Sequence, residues 1–193
     1  MFDIREYIEG EILFEVTKES PVRLCGFIVY SRKHPHVAKV LRDEDYWREL
    51  DAISGVNWPI FAIRPVNPQG YYTRKDAMTD EANENAVRAC LEMEGYEMPC
   101  FVCFIWDDQG NLKKISHRID DRTLKTTHTD LRNLVTRVAD AINAIKPEYA
   151  QSENVFRNVK ETIEAYNTQT RFMSIAESAS WLLDMLGKLM PRT

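Results

Sequence analysis

One pair of cysteines has the spacing that redox sites and zinc sites use. Cys100 and Cys103 form a Cys-x-x-Cys within the stretch PCFVCFIW, residues 99–106. This stretch is short, apolar and rich in β-forming residues, which predicts a buried strand. Side chains alternate between the two faces of a strand, so residues three apart point in opposite directions. We therefore expect two buried core thiols rather than a disulfide or a metal site.

Two histidines lie close together in the segment KHPH, residues 33–36, directly before a helical pattern. Free N–H groups at a helix start favour an anion, so Lys33 and His36 could hold an acidic peptide or a phosphate there. His34 and His36 could instead bind zinc if a third ligand came from elsewhere. The remaining histidines are His117 and His128. The alternative is that both loop histidines simply face the solvent.

Strands and helices alternate along the chain, and they must position these residues. Apolar runs predict strands at 24–30, 58–63 and 100–106, followed by a turn and a more polar edge strand at 112–119. Helical spacing predicts helices at 37–53, with Asp43 as a cap inside it, at 79–95, and from Thr129 or Asp130 to 145. Two further helices are predicted at 153–167 and 172–190. This order gives an α/β protein whose mixed sheet has four strands and helices on both faces.

This order of elements, with Pro99 at the mouth of the third strand, resembles the thioredoxin-like fold. In that family a cis-proline begins this strand beside the active-site loop, and the loop opens the first helix, usually as Cys-Gly-Pro-Cys. Here Pro35 keeps the third position of the motif, while Lys33 and His36 take the two cysteine positions. The resemblance implies a thioredoxin-like domain at 22–146. Residues 1–21 would be an extension with an edge strand, and 147–193 a C-terminal helical hairpin.

Composition and charge limit the classes of partner. The 193 residues carry a net charge of -5, which argues against nucleic acid as the main partner. No apolar stretch approaches the roughly 20 residues of a spanning helix, and the first residues do not resemble a signal peptide, so we expect no membrane partner. The four cysteines lie in apolar or amphipathic surroundings, as reduced cytoplasmic thiols do. We expect a cytoplasmic protein without a cofactor or a bound metal.

The sequence predicts a binding module more than an enzyme. The first hypothesis is a redox-inactive thioredoxin-like module that binds a protein or peptide at Lys33, His34, His36, Met98 and Pro99, since an extended peptide can add to free backbone beside that proline. The second is a thiol-disulfide or metal-dependent enzyme that uses the loop histidines, for which no standard catalytic motif is present. The third is a homodimeric or larger scaffold assembled through residues 153–190, whose leucines must bury against something.

Overall fold

The computed structural model describes residues 2–3, 23–31, 33–55, 58–62, 85, 88, 91–93, 97–107, 109, 111–146 and 152–189, without the side chains of 2–3, 174, 177–179 and 181–189. Five strands and four helices have described bounds. The strands are β1 (Phe2–Asp3), β2 (Cys25–Val29), β3 (Ile60–Ala62), β4 (Cys100–Trp106) and β5 (Leu112–Arg118). The helices are α1 (Pro35–Arg42), α2 (Glu44–Ser54), α3 (Leu124–Asn143) and α4 (Ser152–Leu189).

The strands form one mixed sheet in the order β1-β3-β2-β4-β5. β3 lies between β1 and β2 and is parallel to both, whereas β4 is antiparallel to β2 and to β5. All residues of β2 and β3, and all of β4 except Trp106, are buried. The apolar runs of the sequence therefore belong to strands covered on both faces, and the prediction of an α/β protein is confirmed.

The polar strand β5 lies at one end of the sheet, as its composition predicted. Its lysines are engaged by neighbouring elements. Lys113 forms ion pairs with Glu153 of α4 and with Asp107. The Lys114 ammonium donates to the backbone carbonyls of Leu91 and Glu92 at 2.5 and 2.6 Å. The other end of the sheet is β1, at residues 2–3; the remainder of the extension at 1–21, in which an edge strand was expected, lies outside the described residues.

All four described helices contribute to the core on one face of the sheet. Leu91 and Met93 pack with side chains of the opposite face; most of the helix predicted at 79–95 lies outside the described residues. Asp43 separates α1 from α2, as predicted, because its carboxylate accepts the N–H groups of Asp45 and Tyr46. Gly55, at φ 63°, ends α2 in a conformation that favours glycine.

The predicted start of the third long helix was wrong. α3 begins at Leu124, and its cap is Thr123 rather than Thr129 or Asp130. The Thr123 hydroxyl accepts the N–H of Thr126, and the Thr126 hydroxyl accepts the N–H of Thr123, both at 3.1 Å. This reciprocal pair is a capping box with threonine where glutamate or glutamine is usual, which hides the signal in the sequence.

The predicted C-terminal helical hairpin was also wrong, since 152–189 form one continuous helix of 38 residues. The expected break, TQTR at 168–171, contains neither glycine nor proline. Thr168 and Thr170 donate their hydroxyls to carbonyls one turn earlier in the same helix. The first half of α4 belongs to the main core and is no separate appendage. Its buried residues are Val155, Phe156, Val159, Ile163 and Tyr166.

Among the described helices, none combines the length and apolar character that a membrane span requires.

Candidate functional site

The start of α1 is held by residues from two other parts of the chain. Pro35 occupies the first turn of the helix, where its missing N–H costs nothing. His34, the residue before it, makes no capping bond with its side chain. The cap is supplied from a distance, because the N–H of Val37 donates to the Asp121 carboxylate at 2.9 Å. The positive end of this helix therefore already has a carboxylate of its own.

His34 is the centre of the predicted site and is half-buried. The backbone N–H of Ser31 donates to its Nδ1 at 3.0 Å, and the Ser31 hydroxyl lies 3.1 Å from the same nitrogen. Nδ1 is thus an acceptor, so the ring is neutral and carries its proton on Nε2. Burial lowers the pKa of His34 and outweighs the opposing effect of the Asp121 carboxylate; Arg118 lowers it further.

The Met98–Pro99 turn lies against this histidine. The Met98–Pro99 peptide bond is cis, as the resemblance implied for Pro99, and β4 begins at the next residue. The carbonyl of Pro99 accepts the N–H of Ile119 at 2.8 Å, which continues the pairing of β4 with β5. The Met98 backbone lies close enough to the His34 ring to affect its pKa, and the Met98 side chain is half-buried. Three of the five predicted binding residues, His34, Met98 and Pro99, therefore belong to one corner of the fold.

The other two predicted binding residues lie at the rim of this corner. Lys33 is exposed, and its backbone N–H donates to the Ser31 hydroxyl at 3.3 Å. His36 is half-buried in the first turn of α1. Within the described residues, no group of three or more His, Cys, Asp or Glu side chains could hold a metal ion. The third ligand that a zinc site needs is not supplied by His117 or His128, which contact other side chains.

The Cys-x-x-Cys lies within β4, and its two thiols are on opposite faces of the sheet. Cys103 packs in the core beneath the helices, whereas Cys100 packs on the other face together with Cys25. All three are free and buried. Burial raises the pKa of Cys100 to about 12 and raises the pKa values of Cys25 and Cys103 as well. The prediction of core thiols is confirmed for this pair; Cys90 lies outside the described residues.

A second histidine site, which the sequence analysis missed, is buried between β5, α3 and α4. His117 is 2% exposed, and its Nε2 lies 3.1 Å from both carboxylate oxygens of Asp130. Its Nδ1 lies 2.6 Å from the side-chain oxygen of Asn167. The amide nitrogen of Asn167 donates to the carbonyl of Ser116, which fixes the direction of that amide. Both ring nitrogens of His117 therefore face side-chain oxygens.

The Asp130 carboxylate collects three donors. Besides His117, it accepts the hydroxyl of Tyr166 at 2.8 Å and the backbone N–H of Asp120 at 2.8 Å. Burial, followed by the Asp130 charge, raises the pKa of Tyr166. The Tyr166 ring also packs on the His117 ring, with centroids 4.9 Å apart. The Arg137 guanidinium lies over the Tyr166 ring, 4.9 Å from the centroid of that ring. We call His117, Asp130, Tyr166 and Asn167 the buried polar network. It joins α4 to the sheet and to α3.

One weak signal for this network is present in the sequence. Asp130 falls on the apolar side of a helical pattern, and a carboxylate there needs a partner. The partners come from 13 and 36 residues away, a pairing that spacing along the chain does not reveal.

Comparison with known proteins identifies no relative: no family model, no curated protein and no solved structure matches this chain.

Proposed function

We propose that this chain is a thioredoxin-like module without redox chemistry, which binds an extended protein or peptide segment beside Pro99. The order and directions of the strands support the thioredoxin-like assignment, because β4 and β5 follow two parallel crossovers as an antiparallel hairpin. The cis bond before β4 and the start of α1 at Pro35 support it further. The loop that carries two cysteines in that family carries Lys33 and His36 here.

The observation that carries the binding proposal is the position of the Met98–Pro99 turn. It lies directly before β4 and beside the His34 ring, and the Met98 side chain is half-buried. An extended peptide can add to backbone groups at such a strand entrance. The flexible thioether of Met98 can then adapt to the side chain that the peptide presents.

The charges at this corner favour an uncharged or basic segment over an acidic one. The Asp121 carboxylate already accepts the N–H of Val37, so the helix start does not need an anion from a ligand. A phosphate or an acidic side chain placed there would meet this carboxylate at short range. The proposal therefore assigns Lys33 to the rim of the site, where it contacts the backbone of the bound segment.

Selection from a displayed library of random peptides tests the binding proposal. The immobilised protein should enrich peptides that bind in solution, as measured by fluorescence anisotropy. Met98→Ala and Lys33→Ala should weaken that binding, whereas the matched controls Met173→Ala and Lys125→Ala, which change exposed residues of α4 and α3, should not. Failure to enrich any peptide, or equal loss of affinity in the controls, would contradict the proposal.

Alkylation tests the absence of redox chemistry. A thiol reacts as the thiolate, so buried cysteines with raised pKa values should resist iodoacetamide in the folded protein. We expect at most one modified cysteine per folded chain, at Cys90, and none in a Cys90→Ser variant. In denaturant, all four cysteines of the unchanged chain should react. Rapid modification of Cys100 or Cys103 in the folded protein would show that the pair is accessible and would reopen the redox hypothesis.

A further inference from the structure

Helix α4 is much longer than the helix it packs against. Hydrogen bonds join Asn158 of α4 to Ala141 and Tyr166 of α4 to Asp130, so the two helices run antiparallel. Continuing that alignment places Leu124, the first residue of α3, opposite roughly residue 172. The helix goes on to Leu189. About 17 residues of α4, or roughly 25 Å at 1.5 Å per residue, therefore extend past the end of α3.

The beginning of this extension is apolar and exposed. Phe172, Met173 and Ile175 are 68%, 56% and 65% exposed, and they are three of the four large hydrophobic residues found exposed in the described part of the chain. Leaving such side chains in water forgoes the burial energy that large apolar groups normally contribute, about 1.5–3 kcal/mol each. Three such side chains within about one turn of the helix indicate a contact surface rather than scattered exposed residues.

The sequence of the extension has the spacing of a coiled coil. Apolar residues recur at alternating intervals of three and four: Phe172, Ile175, Ala179, Leu182, Leu186 and Leu189. We call this row the seam. A strict average of 3.5 residues, rather than the 3.6 of an isolated helix, keeps a row of side chains facing another helix along its whole length. The seam thus fits a helical partner of similar length.

We propose that residues 172–189 pair, seam to seam, with the same segment of a second copy of this chain. The residues flanking the seam within this stretch are uncharged: Ala176, Ser178, Leu183 and Met185. Coiled coils that select a different partner place complementary charges at such flanking positions. The uncharged flanks carry no such selection and no repulsion between identical helices, so they suit pairing between copies. In a dimer with two-fold symmetry, the same surface of each chain contacts its counterpart on the other chain.

The polar side of the extension argues against a membrane surface as its partner. Its charged residues are Glu177, Asp184 and Lys188, which give a net charge of -1 and lie away from the seam. Helices that lie on anionic membranes carry many lysines and arginines on that side. The proposal is independent of peptide binding at Pro99, because the two surfaces share no residue.

Sedimentation equilibrium of the full chain tests the proposal. The unchanged protein should have twice the 22.5 kDa mass of one chain. Leu182→Glu, which places a charge in the seam, should raise the dissociation constant of the dimer by about thirtyfold or more, the factor expected for a buried interface anchor. The matched control Ser180→Glu places the same charge outside the seam and should leave the mass at two chains.

Two further measurements keep the test decisive. Ala179→Leu enlarges a seam residue and should tighten the dimer. Hydrogen exchange should show slow amides at 155–166 in every variant, and faster amides at 174–189 only in Leu182→Glu. A single-chain mass for the unchanged protein at micromolar concentrations, a mass above two chains, or equal effects of the two glutamates would overturn the proposal. Co-sedimentation of a monomer with anionic phospholipid vesicles would overturn it in favour of a membrane.

Discussion

The two histidine sites of this protein differ in how they are held together. His34 is half-buried, and its closest partner is Ser31, three residues away in the same turn. His117 is almost completely buried, and its partners Asp130 and Asn167 come from two different helices. The His34 ring accepts a backbone N–H at Nδ1, whereas both ring nitrogens of His117 face side-chain oxygens. Histidine thus lies in a partly accessible corner at position 34 and in a buried contact between three elements at position 117.

This difference separates a site that can exchange partners from one that cannot. Removing one side chain from the buried polar network leaves a buried charge or hydrogen-bond donor without a partner, which lowers the free energy of unfolding. Losing a contact at the His34 corner exposes groups that solvent can satisfy. We therefore expect substitutions in the network to change stability, and substitutions at the corner to change binding and titration.

The largest expected effect is the loss of the charge on Asp130. Asp130→Asn keeps the shape of the side chain but removes the charge of the carboxylate that His117, Tyr166 and the Asp120 N–H all contact. Breaking a buried ion pair at one partner typically costs 3–5 kcal/mol, so we expect the free energy of unfolding to fall by about that amount. Denaturation in urea measures it.

Asp121→Asn is the matched control, because Asp121 also accepts a backbone N–H across the fold but is only half-buried. Its amide oxygen can still accept the N–H of Val37, and the loss should stay below about 1 kcal/mol. Equal losses in the two variants would remove the distinction between the corner and the network.

A smaller effect is expected from the tyrosine of the network. The Tyr166 hydroxyl donates to a carboxylate, whereas the hydroxyl of Tyr46 donates to the neutral carbonyl of His128 at 2.9 Å. Hydrogen bonds to charged groups contribute about 1.5–3 kcal/mol and neutral ones about 0.5–1.5 kcal/mol. Tyr166→Phe should therefore lower the unfolding free energy more than Tyr46→Phe does in the same urea experiment. The reverse order would mean that Asp130 is not charged in the folded protein.

The smallest effect concerns the titration of His34, followed by NMR of the ring protons. Burial lowers its pKa in the folded protein below the usual value near 6.5, and the Asp121 charge opposes this. Asp121→Asn should lower the pKa of His34 further, and Arg118→Gln should raise it. Because the unfolded chain binds this proton more readily, the contribution of His34 to stability is lost as the pH falls from 6.5 through its folded pKa. A His34 pKa above 6.5 would contradict its burial against Met98.

Local patterns in the sequence predicted much of the fold. Apolar runs located β2 and β4, alternation placed Cys100 and Cys103 on opposite faces, and Asp43 was recognised as a cap. The errors have a common physical cause. The absence of a break in α4 depends on threonine hydroxyls that stay within the helix, and the start of α3 depends on a threonine pair. Both features depend on side-chain hydrogen bonds, which the spacing of apolar residues along the sequence does not reveal.

The candidate site could be predicted only in part for a related reason. Lys33, His34 and His36 are recognisable because they precede a helix, and Pro99 because it precedes a strand. The role of Asp121 is different, since it reaches the helix start from 84 residues away. The buried polar network likewise depends on the packing of three elements, so only the fold reveals it.

The most direct test of the central claim is an NMR titration of ¹⁵N-labelled protein with the tightest peptide from the displayed library. If an extended segment binds beside Pro99, the largest shift changes should occur at Ser31, Lys33, His34, Met98 and Asp121, including the ring protons of His34. The amides of the buried polar network should not change. Shift changes concentrated on α4, or spread evenly with none at Met98, would show that the corner beside Pro99 is not the binding site.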